Sequence, residues 1–108
     1  MVILEEENME YYQQGDVLFI PATIPEGAKK IEGNVVAYGE ATGHSHRVVG
    51  RNVALFLVGA ALYVRVLQEA AEARHEEHHT RVLPVREYAV RFVREHDHFA
   101  EEVRRVVD

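Results

Sequence analysis

Apolar residues along this chain fall in short runs or alternate with polar ones, and turn residues interrupt them every few positions, so the pattern is that of strands. Val17-Leu18-Phe19-Ile20 is apolar at four successive positions and is stopped by Pro21, which predicts a strand buried on both faces. Gln14-Gly15-Asp16, Pro25-Glu26-Gly27 and Gly33-Asn34 read as turns. Val35 then opens an extended segment over 35–49, where glycines at 39 and 43 argue against helix and for a bulged strand or a loop in close approach to something. A two-residue period through it places Tyr38, Glu40, Thr42, His44, His46 and Val48 on one face. Gly50-Arg51-Asn52 turns the chain into the run Val53 to Val58, and Gly59 leads to a further strand over 62–67.

Residues 68–75 are ambiguous. Ala and Glu favour helix by intrinsic propensity, but a helix here would have only a thin alanine face. As a strand, the apolar set changes phase from Leu62, Val64 and Val66 to Leu67, Ala71 and Ala73, which requires a bulge near 66–68. Strand is the preferred expectation. After Pro84, Tyr88, Val90 and Phe92 alternate with Glu87, Arg91 and Glu95, giving one core face and one wet face. Residues 99–107 fit either a short C-terminal helix or a final strand. The expected fold is mainly β: a small single-domain barrel or sandwich over 11–108, preceded by a flexible acidic tail over 1–10.

Composition narrows the chemistry. With 108 residues, 47% of them hydrophobic, the chain can build one core. Eighteen acidic against 12 basic residues give a net charge of -6, which repels a polyphosphate backbone and argues against nucleic acid as partner. There is no cysteine, so disulfides and thiolate metal sites are excluded, and any metal is left to His, Asp and Glu. The start lacks a basic n-region and an apolar h-region, and the longest apolar run falls short of the roughly 20 residues of a membrane span. A cytoplasmic protein without membrane contact is therefore expected.

Seven histidines fall in three groups: His44 with His46, His75 with His78 and His79, and His96 with His98. Two residues apart on a strand, His44 and His46 project to one side with Cα atoms about 6.6 Å apart, a spacing at which both can reach one ion. Adding His75 or His78 from a later segment gives the three protein ligands of an open site, with Glu40 as a fourth ligand or as an orienting group behind them. Zinc, nickel, iron and manganese all suit such donors. His75-Glu76-Glu77-His78-His79 also contains H-E-x-x-H, which on a helix would make a minimal zinc hydrolase with Glu76 acting on metal-bound water. His96 and His98 read as surface residues. A third reading takes the apolar strand Val53 to Val58 as an interface, making the chain a non-enzymatic homo-oligomeric adaptor, most simply a dimer. Whether the chain is an enzyme, and what small molecule it would act on, the residues leave open.

Gln14-Gly15-Asp16-Val17-Leu18, Gly39 to His46, His75-Glu76-Glu77-His78 and Leu83-Pro84 with Tyr88 and Val90 together resemble a family of small uncharacterised proteins of bacteria, archaea and their viruses. The likeness spans about residues 12–98 and implies a strand-rich fold without assigning chemistry. Gly39 to His46 also looks like the first metal motif of cupins, in which an H-x-H pair and a glutamate hold one ion inside a β-barrel. The cupin glutamate follows the pair, whereas Glu40 precedes it. Cupin-like architecture and a metal on His44 and His46 are what that resemblance implies.

Overall fold

The computed structural model describes residues 10–38 and 44–93. These form ten strands in two antiparallel sheets. The first sheet takes β1 (Tyr12–Gln14), β2 (Val17–Pro21), β3 (Lys29–Ile31), β6 (Val53–Val58), β7 (Ala61–Val66) and β10 (Arg86–Phe92), in the order β1-β2-β10-β7-β6-β3. The second takes β4 (Val35–Tyr38), β5 (Ser45–Val49), β8 (Ala71–His75) and β9 (His78–Leu83), in the order β4-β5-β8-β9. The expectation of a mainly β fold holds. Of the two architectures expected, the described residues give two facing sheets and no closed barrel.

One core joins the sheets. Val17, Phe19, Leu55, Val64, Val66, Tyr88 and Val90 from the first sheet pack against Val36, Val48, Ala71, Ala73 and Leu83 from the second. Burying each of the larger aliphatic or aromatic chains contributes about 1.5–3 kcal/mol. The run 17–20 is buried at all four positions as its sequence predicts: Val17 and Phe19 face this core, while Leu18 and Ile20 form a second cluster with Tyr11 and Val93 on the other face. Tyr88 is fully buried and donates its hydroxyl to Pro84 O at 2.6 Å; burial pushes its ionisation upward.

Three expectations are corrected. The segment 35–49 is not one strand but two, β4 and β5, which pair antiparallel with a register shift between Val35 and Ala37. Reversal breaks the two-residue period: Ala37 pairs with His46 and Tyr38 with Ser45, so Tyr38 leaves the His46 face and stands 79% exposed. The phase change near 66–68 is not a bulge within a strand. Gln68 takes a left-handed backbone (φ 69°), Leu67 is exposed, and the chain leaves β7 for a strand of the other sheet. Residues 76–83, where no strand was expected, form a turn and β9, whose first five residues are exposed and so carry no period to read. The apolar run Val53 to Val58 forms the expected strand, with Leu55 in the core and Phe56 on the outer face, where the Arg65 guanidinium lies 4.7 Å from the Phe56 ring centroid. Residues 1–9 of the expected 1–10 tail, Glu40, His96, His98 and the C-terminal element over 99–107 lie outside the described residues. Among the described residues no helix is long and apolar enough to cross a membrane.

Candidate metal centre

Strand register gathers the histidines. β5 and β8 pair through Arg47↔Arg74, Val48↔Ala73 and Val49↔Glu72, so the next step of the ladder sets His46 opposite His75. His75 in turn pairs with His78 across the β8–β9 hairpin, whose two-residue turn is Glu76-Glu77. Three imidazoles on three adjacent strands thus form one row, and cross-strand neighbours share a face. Ring centroids lie 4.2 Å apart for His46 and His75, 4.6 Å for His75 and His78, and 5.8 Å for His46 and His78. One ligating nitrogen from each lies within 4.8 Å of the other two.

The H-x-H pair divides. His44 stands just ahead of β5 and belongs to a second set with His75 and Glu76. Its Nδ1 faces the Glu77 carboxylate at 3.5 Å. Glu76 is already engaged, accepting the Ser45 N–H at 3.0 Å and Arg47 at 3.1 Å. Hydrogen bonds from its own backbone N–H and from that of Ser45, with Arg47 behind them, hold its carboxyl below the usual range. Glu76 is better read as the latch that fixes the hairpin tip to β5 than as a ligand or base. The helix that an H-E-x-x-H hydrolase requires is replaced by the β8–β9 hairpin, and His79 follows His78 on an exposed strand.

Gln14 was legible in the sequence only as a turn residue, and it proves central to the site. The residue is 2% exposed. Its Nε2 donates to Ala73 O at 2.8 Å and His79 O at 2.9 Å, and its Oε1 lies 3.0 Å from His46 Nδ1. An amide whose NH₂ is spent on two carbonyls has only its oxygen left to offer, so His46 Nδ1 carries the proton and Nε2 keeps a free lone pair. Burial first, then the neighbouring His75 and His78, lower the His46 pKa and favour the neutral imidazole, the form that binds metals. His75 is set differently: its Nδ1 accepts the Glu77 N–H at 3.0 Å.

Gly15 completes the floor. Its left-handed φ of 60° closes the β1–β2 turn, and a Cβ there would fall 2.7 Å from His78 Nε2. Gly15→Ala should therefore push the His78 ring out of the row while costing stability only about 1–2 kcal/mol for the strained backbone. Zinc titration of this variant, run beside urea denaturation, should show weakened binding in a protein that still unfolds cooperatively.

The row opens on a cleft of about 430 Å³ where the sheets part. Val17, Ala37, Tyr38 and Phe92 supply apolar walls, and Asp16 and Glu77 bring carboxylates. No curated protein and no solved structure matches the chain. A family model, described as a domain of unknown function (DUF8820), matches residues 13–92, and the chain belongs to that family.

Proposed function

We propose that this protein is a small divalent-metal-binding β domain that holds its ion with His46, His75 and His78 and leaves one position open to the cleft. The observation that carries the proposal is the cross-strand row of imidazoles, with His46 held by Gln14 in the tautomer that frees Nε2. Tetrahedral zinc with Zn–N of about 2.0–2.1 Å sets its nitrogens about 3.4 Å apart, so the rings close in by up to roughly 1.4 Å on binding. Coordination through either nitrogen of His75 releases the Glu77 N–H: a metal on Nδ1 displaces it, and a metal on Nε2 of the neutral ring puts a proton on Nδ1. Three nitrogen ligands leave the fourth position of a tetrahedral ion to water or a small molecule. Asp16 and Glu77 alongside offset the ion's charge, so that position can take a neutral donor such as water without an anion to balance it. Zinc, nickel, iron and manganese remain the candidate ions.

The site shares with cupins an imidazole centre in a β fold, built here on one histidine of the H-x-H pair and a hairpin. The test is calorimetric titration of chelator-stripped protein with zinc. Wild type is expected to take up one equivalent, and the His46→Ala/His75→Ala/His78→Ala variant none at the same concentration. Equal uptake by both proteins would contradict the proposal.

A further inference from the structure

A second cluster lies away from the histidines, at the other end of the chemical scale. On this acidic chain, Lys30, Arg51 and Arg65 line one hollow of about 230 Å³ together with Asn52 and Leu67. Lys30 and Arg65 sit on the outer face of the six-stranded sheet: Lys30 pairs with Phe56 and Arg65 with Ala54, both alternating with the core residue Leu55. Their charges are not neutralised. Arg47 and Arg74 have carboxylates at 3.1 and 2.6 Å, whereas Lys30 and Arg65 have no ion-pair partner among the described residues, and Arg51 has Glu69 only at 3.8 Å. Arg65 Nε is buried and makes no hydrogen bond. A buried N–H left unpaired costs about 1–3 kcal/mol, and native proteins keep few of them.

The surroundings are fixed. The Arg65 guanidinium lies over the Phe56 ring at 4.7 Å, which restricts its plane. Asn52 ties the β5–β6 turn to the end of β7 through its carbonyl, which accepts the Leu67 N–H at 3.0 Å, and its amide, which donates to Gln68 Oε1 at 3.1 Å. That second bond holds the left-handed Gln68 beside the hollow.

We propose that this hollow binds a small oxyanion, a phosphate or carboxylate group, anchored by Arg65 with Lys30 and Arg51 in support. Guanidinium groups suit planar and tetrahedral oxyanions, and a partly desolvated one with no internal partner gains most from them. The site is independent of the metal centre.

The test is an NMR titration of the folded protein with inorganic phosphate and, separately, with acetate, both at constant ionic strength so that screening does not change. At least one probe should give saturable shifts confined to residues around 30, 51–52 and 65–67. Saturation by phosphate alone assigns a phosphoryl ligand, and by acetate a carboxylate. Loss of one charge-assisted bond corresponds to about ten-fold or more in affinity, which is the weakening expected for Arg65→Gln. Lys30→Gln, at an exposed position that does not threaten folding, should weaken binding in the same direction. Failure of both probes to saturate, or unchanged affinity in both variants, would overturn the proposal.

Discussion

Replacing Gln14 with alanine is expected to lower the unfolding free energy by about 2–4 kcal/mol and to weaken metal binding by about 10–100-fold. The residue is nearly inaccessible, and its amide bonds three other strands: β5 through His46, β8 through Ala73 O and β9 through His79 O. Alanine leaves two carbonyls and one imidazole N–H without their partner at a buried position. The stability part is read as a fall in urea midpoint at constant slope. Gln14→Glu separates the two roles. It keeps an oxygen for His46 Nδ1–H but sets a carboxylate oxygen against the two carbonyl oxygens. Stability should remain low in that variant while affinity moves back towards wild type. An alanine variant unchanged in both properties would show that the amide neither braces the sheets nor orients His46.

The second large effect distinguishes the members of the H-x-H pair. His46→Ala removes a ligand and should reduce zinc affinity by more than the roughly 100-fold seen when only an orienting partner is lost. His44→Ala should reduce it less than about ten-fold, since His44 faces Glu77 and belongs to the set whose carboxylate is already taken by Ser45 and Arg47. Equal losses in the two variants would mean that the pair acts as one chelate, as its spacing first suggests.

That contrast shows what the letters carry and what they do not. His44, His46, His75 and His78 stand out by spacing, and all four line the cleft. Their geometry does not follow from a two-residue period through 35–49, because the pairing of β4 with β5 shows that the chain turns back there. The pairing of His75 with His78 was available in principle, since residues flanking a two-residue turn face each other. Glu76-Glu77 is no turn sequence, however. Neither residue takes a positive φ, and the register shift between Ala73 and His75 sets His79 and Thr80 opposite Arg74 alone. β9 leaves no such signal, because an edge strand exposed at five successive positions has no buried face to impose a period. Gln14 was beyond reach for another reason: its partners are 32 to 65 residues away, and a lone glutamine beside a turn has no local signature. The core runs were legible, above all Val17-Leu18-Phe19-Ile20 and the alternation of Tyr88 and Val90, because burial is written into each strand's own residues.

The most direct test of the metal centre is X-ray absorption at the zinc edge on protein loaded with one equivalent. The row of His46, His75 and His78 predicts three imidazole nitrogens and one further light atom at about 2.0–2.1 Å. A shell of oxygens with at most one imidazole would contradict it, because the ion would then sit on the acidic surface and not among the three strands.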